Sequence, residues 1–419
     1  MTIGMNRRVA LKAVTAGFVA GLGSKILSAA EEERLPPVRT ITRGPKHHWF
    51  GYYDKWQFDP SDRYVLGNEV AFEHRSPQPG DEIAVGYVDI EEGDRWTELG
   101  LSRAWNWQQG CMLQWVPGDR REVVWNDRGD NGDFVSVFYD VDSKKKRTVA
   151  APIYALSPDG KTAIAPDFRR LNDTRPGYGY CGIPDPYAGE FAPSQTGLWR
   201  IELETGKREL LFSFAEIAKF GDINDEMRQS KHWFNHLLFN TDGSRFVFLH
   251  RWRAPNMGTS FKTRMITANA DGSDPYVLDA SGAMSHFIWR DEQTILAWSK
   301  YRDRDGFFIY QDRTSNVTPI GEGVMTVNGH CTYLPGNAWI LNDTYPDKMR
   351  LQHPYLYHVA TGSRVPLGHF LSPKEYVGEW RCDTHPRYSR TGKYAVIDSP
   401  HTGEGRQMHL IDLRGIVGG

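Results

Sequence analysis

The chain has 419 residues, including 14 Trp, 19 Tyr and 20 Phe, enough to bury a large core, and a formal charge of −2. That balance argues against a nucleic-acid partner, since gripping phosphates takes a concentrated basic face. Four scattered cysteines, Cys111, Cys181, Cys331 and Cys382, lack any CxxC spacing; they are expected as small buried thiols, with one disulfide as the alternative.

Residues 1–30 separate from the rest. Arg7 and Arg8 precede an apolar run, and Ser28 and Ala30 offer small residues for cleavage, the pattern of a twin-arginine export signal. The run is short for a membrane anchor, which is the alternative. It carries Arg7, Arg8, Lys12 and Lys25 and no acid, so losing these four cations takes the charge from −2 to −6. The expectation is a periplasmic or secreted protein, free of the membrane after cleavage, with residues 31–419 as one domain.

From residue 38 onward one module repeats: a strand, a Gly/Asp turn, a second apolar strand, a polar loop, a third strand, a turn and a fourth strand. The first turns are "DPSD" at 59, "PGDR" at 117, "SPDG" at 157, "NTDG" at 240, "RDEQ" at 290, "LPGN" at 334 and "SRTG" at 389, each followed by a β-rich run such as "RFVFLH" or "YAVIDS". Aspartate and glycine supply the backbone conformations that tight hairpins need. Seven such units predict an all-β, seven-bladed propeller. The last unit has three strands and "PVRTITR" is unclaimed, so residues 37–43 are expected to complete blade seven and close the ring. Two departures stand out, a Pro/Gly/Tyr-rich insertion over 166–196 in blade three and a short helical stretch over 214–230.

Histidine recurs at one position of the repeat. Blade four opens with "NHLLFN" (His236), blade five with "SHFIWR" (His286), blade six with "GHCTYL" (His330) and blade seven with "THPRYS" (His385). Equivalent positions in a propeller are related by rotation, so four imidazoles should meet near the channel axis. Blade one offers His47 and His48 at the matching place, and blade two Gln108 and Gln109. A histidine at a blade entrance can also be architectural, but four in succession favour a metal or catalytic cluster. Neutral imidazoles bind divalent zinc or manganese, and any three of these with an open position would describe a catalytic rather than a structural site. The loops opening on the same face are basic, with Arg175, Arg251, Arg302 and Arg350 among them, and Arg387 follows His385. Guanidinium forks match carboxylates and aromatic faces stack on sugar rings, which makes these arginines, with Trp107 and Trp233, candidates for holding a carboxylated sugar.

At these residues the sequence resembles the oligogalacturonate lyase group of seven-bladed propellers and, more distantly, the ulvan lyase propellers. The resemblance spans about 38–419 and lies in the repeat and the histidine positions. It implies metal-assisted β-elimination on uronic-acid chains, with His286 and His385 on metal-ligand positions, His236 on the position of the catalytic base and His330 as an additional ligand. Arg387 stands where the group has a second blade-seven histidine, and the "RCDT" run with Cys382 and Asp383 replaces the group's glutamine. The expected chemistry is proton removal from C5 of a uronate by His236, with His232 as deputy, or by a tyrosine of "GYYD", Tyr53 being the candidate; metal or arginine, here Arg251, neutralises the carboxylate. The alternative is a non-catalytic propeller that binds an acidic glycan or a protein on its arginine-rich face. Neither a G-x-S-x-G elbow nor a sialidase box is present, which disfavours a hydrolase.

Overall fold

Tight turns at the expected positions fold each repeat into a four-stranded antiparallel sheet. The computed structural model describes residues 33–118, 121–130 and 132–418; the export signal expected over 1–30 lies outside them. Turn glycines such as Gly160 (φ 66°) and Gly243 (φ 76°) sit in the left-handed region, where a side chain would be strained. Among the described residues no helix is long and apolar enough to cross a membrane.

Leu351–Gln352 and Phe370–Leu371 pair separately as a two-stranded sheet, and the seven four-stranded sheets are the seven blades. Their innermost strands are His47–Trp49, Gln114–Trp115, Ala155–Leu156, Lys231–Phe239, Phe287–Trp289, Thr332–Tyr333 and Arg387–Tyr388. Each pairs with the next strand in sequence, and so outward through the blade, except that in blade six Trp339–Asn342 pairs with Tyr355–His358 and skips Leu351–Gln352. Blade seven is completed from the other end of the chain. Val38–Thr40 pairs antiparallel with Gln407–Asp412, matching Val38 to Ile411 and Thr40 to His409. Ile41 N donating to the Met408 carbonyl (3.0 Å) and Asp412 N to that of Pro37 (3.0 Å) extend the seam at both ends. The ring is closed as the unclaimed N-terminal strand predicts.

The core lies between neighbouring blades. Val247, Leu249 and Met265 of blade four pack with Phe287, Ile295 and Tyr310 of blade five, and Leu341 and Leu356 of blade six with Ile397 and Ile411 of blade seven. Burial of these apolar faces, at roughly 25 cal/mol per Å², holds the ring together. All four cysteines are free thiols, three buried and Cys181 partly so.

Two elements rise over the face that carries the site. The 166–196 insertion begins with a helix, Phe168–Thr174, capped by the Asp167 carboxylate on Arg169 N. Arg170, fully buried, ties it down: its guanidinium donates to Asp185 and to the carbonyls of Tyr187, Glu190, Phe191 and His232. The 214–230 stretch forms two single-turn helices, Phe214–Ile217 and Asp225–Arg228. Blade four is the tallest, with nine-residue strands Lys231–Phe239 and Arg245–Arg253.

Candidate active site

The segment after the first strand, "GYYDK" at 51–55, leaves its blade and crosses the axis. Phe50 N and Gly51 N donate to the Asp398 carboxylate of blade seven (3.3 and 3.2 Å), which starts the crossing. Gly51 has φ 112°, and a Cβ there would lie 2.7 Å from the Gln109 carbonyl carbon, so only glycine passes. Tyr53 reaches across to blade five, its hydroxyl donating to the Phe287 carbonyl (2.8 Å) and accepting from Phe287 N (3.0 Å). Tyr52 and Tyr53 therefore plug the channel, with the histidines packed around them.

Rotation brings the imidazoles together. His286 and His330 have ring centroids 4.2 Å apart, as do His330 and His385. His236 stands to one side, stacked on Phe287 at 4.0 Å and reached through Tyr52 (4.8 Å) and Tyr53 (5.5 Å). Two of the four owe their direction to unusual backbone. His236 is the extra residue of a β-bulge, between the pairs Asn235–Leu249 and Leu237–Phe248, with φ 51°; His385 has φ 38°. Bulges re-aim side chains, and left-handed backbone at residues other than glycine concentrates at functional sites.

Each ring has a distinct electrical setting. Asp343, fully buried, accepts from His330 Nδ1 (2.9 Å), His330 N (2.7 Å) and Thr384 Oγ1 (2.5 Å). Burial disfavours a charge on His330, but the Asp343 carboxylate outweighs it and raises the pKa. His286 Nδ1 faces Asn328 Oδ1 at 2.9 Å. Burial, then the neighbouring His330, hold both His286 and His385 well below the ordinary imidazole value, so both are neutral. His385 Nε2 is buried without a hydrogen-bond partner. With Nδ1 of His330 and His286 engaged by Asp343 and Asn328, both Nε2 atoms remain available, the arrangement in which a second carboxylate or amide orients a metal-binding imidazole.

Among the described residues one group has metal-ligand spacing: His330, Asp383 and His385 place ligand atoms within 4.8 Å of one another. His286 adjoins it through His330. The orphaned His385 Nε2 and the neutral imidazoles suit a divalent cation. Asp383 stands out only in space, where the turn before blade seven delivers its carboxylate beside His385 Nε2, 3.9 Å away.

His236 forms a second unit. Its Nε2 lies 3.2 Å from Asp54 Oδ2 and its Nδ1 3.5 Å from the Tyr52 hydroxyl. Since Asp54 can only accept, Nε2 carries the hydrogen and Nδ1 presents a lone pair to Tyr52. Burial lowers the His236 pKa to about 4, against the pull of Asp54, so the ring is a neutral acceptor. Asp54 is held at about 2, the cost of its burial being overcome by Lys55 and His236.

Above the histidines lies a cleft of about 250 Å³, lined by Tyr52, Arg175, Tyr178, Arg251, His286 and Tyr345 among others. Arg251 is buried, its Nε and Nη1 without partners, and Arg175 Nη1 is likewise unpaired. The two guanidinium groups share the Phe261 face at 5.0 and 4.7 Å. Burial, then the adjacent Arg175 charge, lower Arg251 to about 9. A buried cation, Arg251, beside the half-buried Arg175, both with unfilled buried donors and no salt-bridged carboxylate among the described residues, describes a site for an anion. Tyr178 closes one side; burial would raise its pKa, but Arg381 and Arg175 bring it down to about 8.

Other candidates lie elsewhere. His232 is not at the axis: its Nδ1 meets His250 Nε2 (2.8 Å) and its Nε2 the Met227 carbonyl (2.8 Å), while Arg264 Nε donates to His250 Nδ1 (2.9 Å). That chain fixes both tautomers inside blade four, and both of its ring nitrogens are spent. Tyr53, with its hydroxyl bound to blade five, faces away from the cleft, and Tyr52 takes the place expected for it. Arg387 is buried and bonded to Asp398 (2.7 Å), Gln57 and the Thr384 carbonyl. Arg350 staples the 372–376 backbone through the Ser372, Pro373 and Tyr376 carbonyls. Arg302 is exposed on a blade-five turn beside Tyr301. Trp107 and Trp233 are core residues, 1% and 0% exposed, Trp107 donating to the Arg75 carbonyl (2.7 Å). His47 and His48 bond Glu73, Glu69 and Gln407 at the ring seam rather than joining the cluster.

No protein-family model matches the sequence, and no curated protein sequence does. Solved structures do match. An oligogalacturonate lyase from Vibrio parahaemolyticus is 13% identical, aligned over 91% of this chain and 96% of its own, with TM-score 0.62. An oligogalacturonate lyase in complex with manganese is 14% identical over 90% and 93%, with TM-score 0.63. The tricorn protease is 11% identical over 89% of this chain but 34% of its own, with TM-score 0.51. At such identities the likeness is one of fold: this chain is a seven-bladed β-propeller similar to oligogalacturonate lyases.

Proposed function

We propose that the protein is a polysaccharide lyase, exported by its N-terminal segment, that cleaves uronic-acid-containing oligo- or polysaccharides by β-elimination. The observation that carries this is one cleft in which the unpaired guanidinium groups of Arg175 and Arg251 face Tyr52, itself backed by the neutral His236. The propeller likeness to oligogalacturonate lyases, one of them solved with manganese, supports the same reading.

In this mechanism Arg251 and Arg175 bind the uronate carboxylate. Neutralising it makes the C5 proton removable and stabilises the enediolate-like charge that follows. Tyr52 takes the C5 proton as its own passes to His236 Nδ1, with Asp54 stabilising the imidazolium that forms. The bond from C4 to the glycosidic oxygen then breaks, and Tyr178 is the proton donor to the departing oxygen. His286, His330 and His385, with Asp383, would hold a divalent cation, manganese or zinc, which supplies Lewis-acid stabilisation of the carboxylate when bound. Tyr52 and Tyr178 both line the cleft and face the sugar.

The test is to incubate purified protein, loaded with manganese or zinc, with oligogalacturonate, ulvan and glucuronan and follow the ultraviolet absorbance of the unsaturated product. Growth of absorbance that Arg251→Gln removes supports the proposal. Binding of these glycans without turnover on any of them would instead make the molecule a binding propeller.

A further inference from the structure

The histidine layer has a second side. At the opposite mouth of the channel lies a larger cavity, about 440 Å³, within the range of small-molecule sites. Among the described residues its charged lining comprises Lys55, Arg290, Arg387 and Arg390, with Asp54 as the carboxylate. Arg387 is spent on Asp398 (2.7 Å) and Arg290 on Asp291 (2.9 Å). Arg390 is not. Its guanidinium carbon sits over the Trp56 ring, 3.7 Å from the centroid, its Nε donates to the Phe58 carbonyl (3.1 Å), and its buried Nη2 has no partner. Burial lowers the Arg390 pKa to about 10. Lys55, whose side chain is 3% exposed, has one carboxylate contact, Asp54 at 3.1 Å, and that carboxylate is shared with His236. Trp56 and Tyr388, with rings 5.7 Å apart, add aromatic wall beside these cations.

We infer that this opposite mouth is a second ligand site, for a carboxylate-bearing ring of one to two sugar residues, its carboxylate taken by Arg390 and Lys55 and its ring laid against Trp56 and Tyr388. A guanidinium with an unfilled buried donor matches a carboxylate, and the aromatic wall selects a ligand with a flat or pyranose body over a bare oxyanion. The site stands independently of the lyase reading, because it shares no arginine with the upper cleft. It also has a line to that cleft: a ligand carboxylate on Lys55 competes with Asp54, which orients His236.

The experiment is calorimetric titration of the full protein with glucuronate, with glucose and phosphate as comparison ligands. Wild type is expected to bind glucuronate at two sites and glucose at neither. Arg390→Gln should weaken one site about 10-fold or more and leave the other intact, while Arg251→Gln should do the reverse. Asn337→Asp, an exposed rim residue that leaves the core untouched, should weaken the same site as Arg390→Gln and guards against misfolding of the buried variant. Titration of both Arg390→Gln and Asn337→Asp as wild type overturns the inference, as does phosphate competing as well as glucuronate. If Arg251→Gln changes nothing while Arg390→Gln removes binding, the lyase cleft fails and the second site stands.

Discussion

Arg251 offers the sharpest test, because its charge should stabilise nothing until an anion arrives. Its folded pKa of about 9 against an ordinary 12.5 opposes the charged form by roughly 5 kcal/mol. Replacing it with methionine, of similar length and apolar, removes that burden along with some packing. Buried charges exchanged for well-packed apolar groups commonly raise stability by about 1–4 kcal/mol, which for a domain of this size is a gain of about 1–4 °C in Tm. The same change removes a buried donor from the ligand carboxylate, worth about 2–5 kcal/mol, or a thirtyfold or greater loss of affinity. Thermal melts and uronate titrations on Arg251→Met should thus move in opposite directions. A variant that melts lower and binds as well as wild type would show that Arg251 is a structural cation, and the carboxylate site would have to be abandoned.

Tyr52→Phe should lower kcat by about 10²–10⁴ with little change in KM or Tm, read from the unsaturated product; an undiminished rate would return the role of base to His236 acting directly. Asp343→Asn should weaken divalent-metal affinity about 10–100-fold in calorimetric titration with manganese or zinc, since it orients His330 Nδ1; equal affinity would dismiss the oriented-imidazole site. Acid stability follows from histidines remote from the cluster. His232 and His409 have folded values of about 4 and about 3, both set by burial, against about 6.5 unfolded. Below pH 6.5 the unfolded chain takes up protons that the folded one refuses, so stability is full above 6.5 and falls toward about pH 4 by roughly 3 kcal/mol or more per ring. Melts between pH 7 and 4 test this, and a flat Tm would contradict it. Deleting residues 35–41 should lower Tm and broaden the transition, because Val38–Thr40 is the outer strand of blade seven; an unaltered melt would show that the seam does not hold the ring.

Much of this molecule is local, and for that reason readable along the chain. Each of blades one to six is four strands taken in chain order, so turn residues such as Asp159–Gly160 and alternating apolar runs specify it without reference to anything distant. Closure was legible by subtraction, since blade seven lacked a strand and residues 37–43 lacked a blade. The histidines were legible because rotation maps one position of the repeat onto the next; His286, His330 and His385 do meet.

What the sequence could not decide is which polar groups are already spent. Arg387 and Arg251 read alike, yet one is neutralised by Asp398 and the other has no partner. His232 and His236 lie four residues apart on one strand, yet only the bulge at His236 turns a ring to the axis while His232 bonds His250. Tyr52 and Tyr53 are adjacent in the crossing segment, yet one lines the cleft and the other reaches across to Phe287. Asp383 becomes a ligand candidate only through its distance to His385. These are pairings between blades, fixed when the ring closes. Repeat and turn chemistry determine the scaffold; the availability of a donor or lone pair depends on neighbours hundreds of residues away, and tertiary packing alone assigns them.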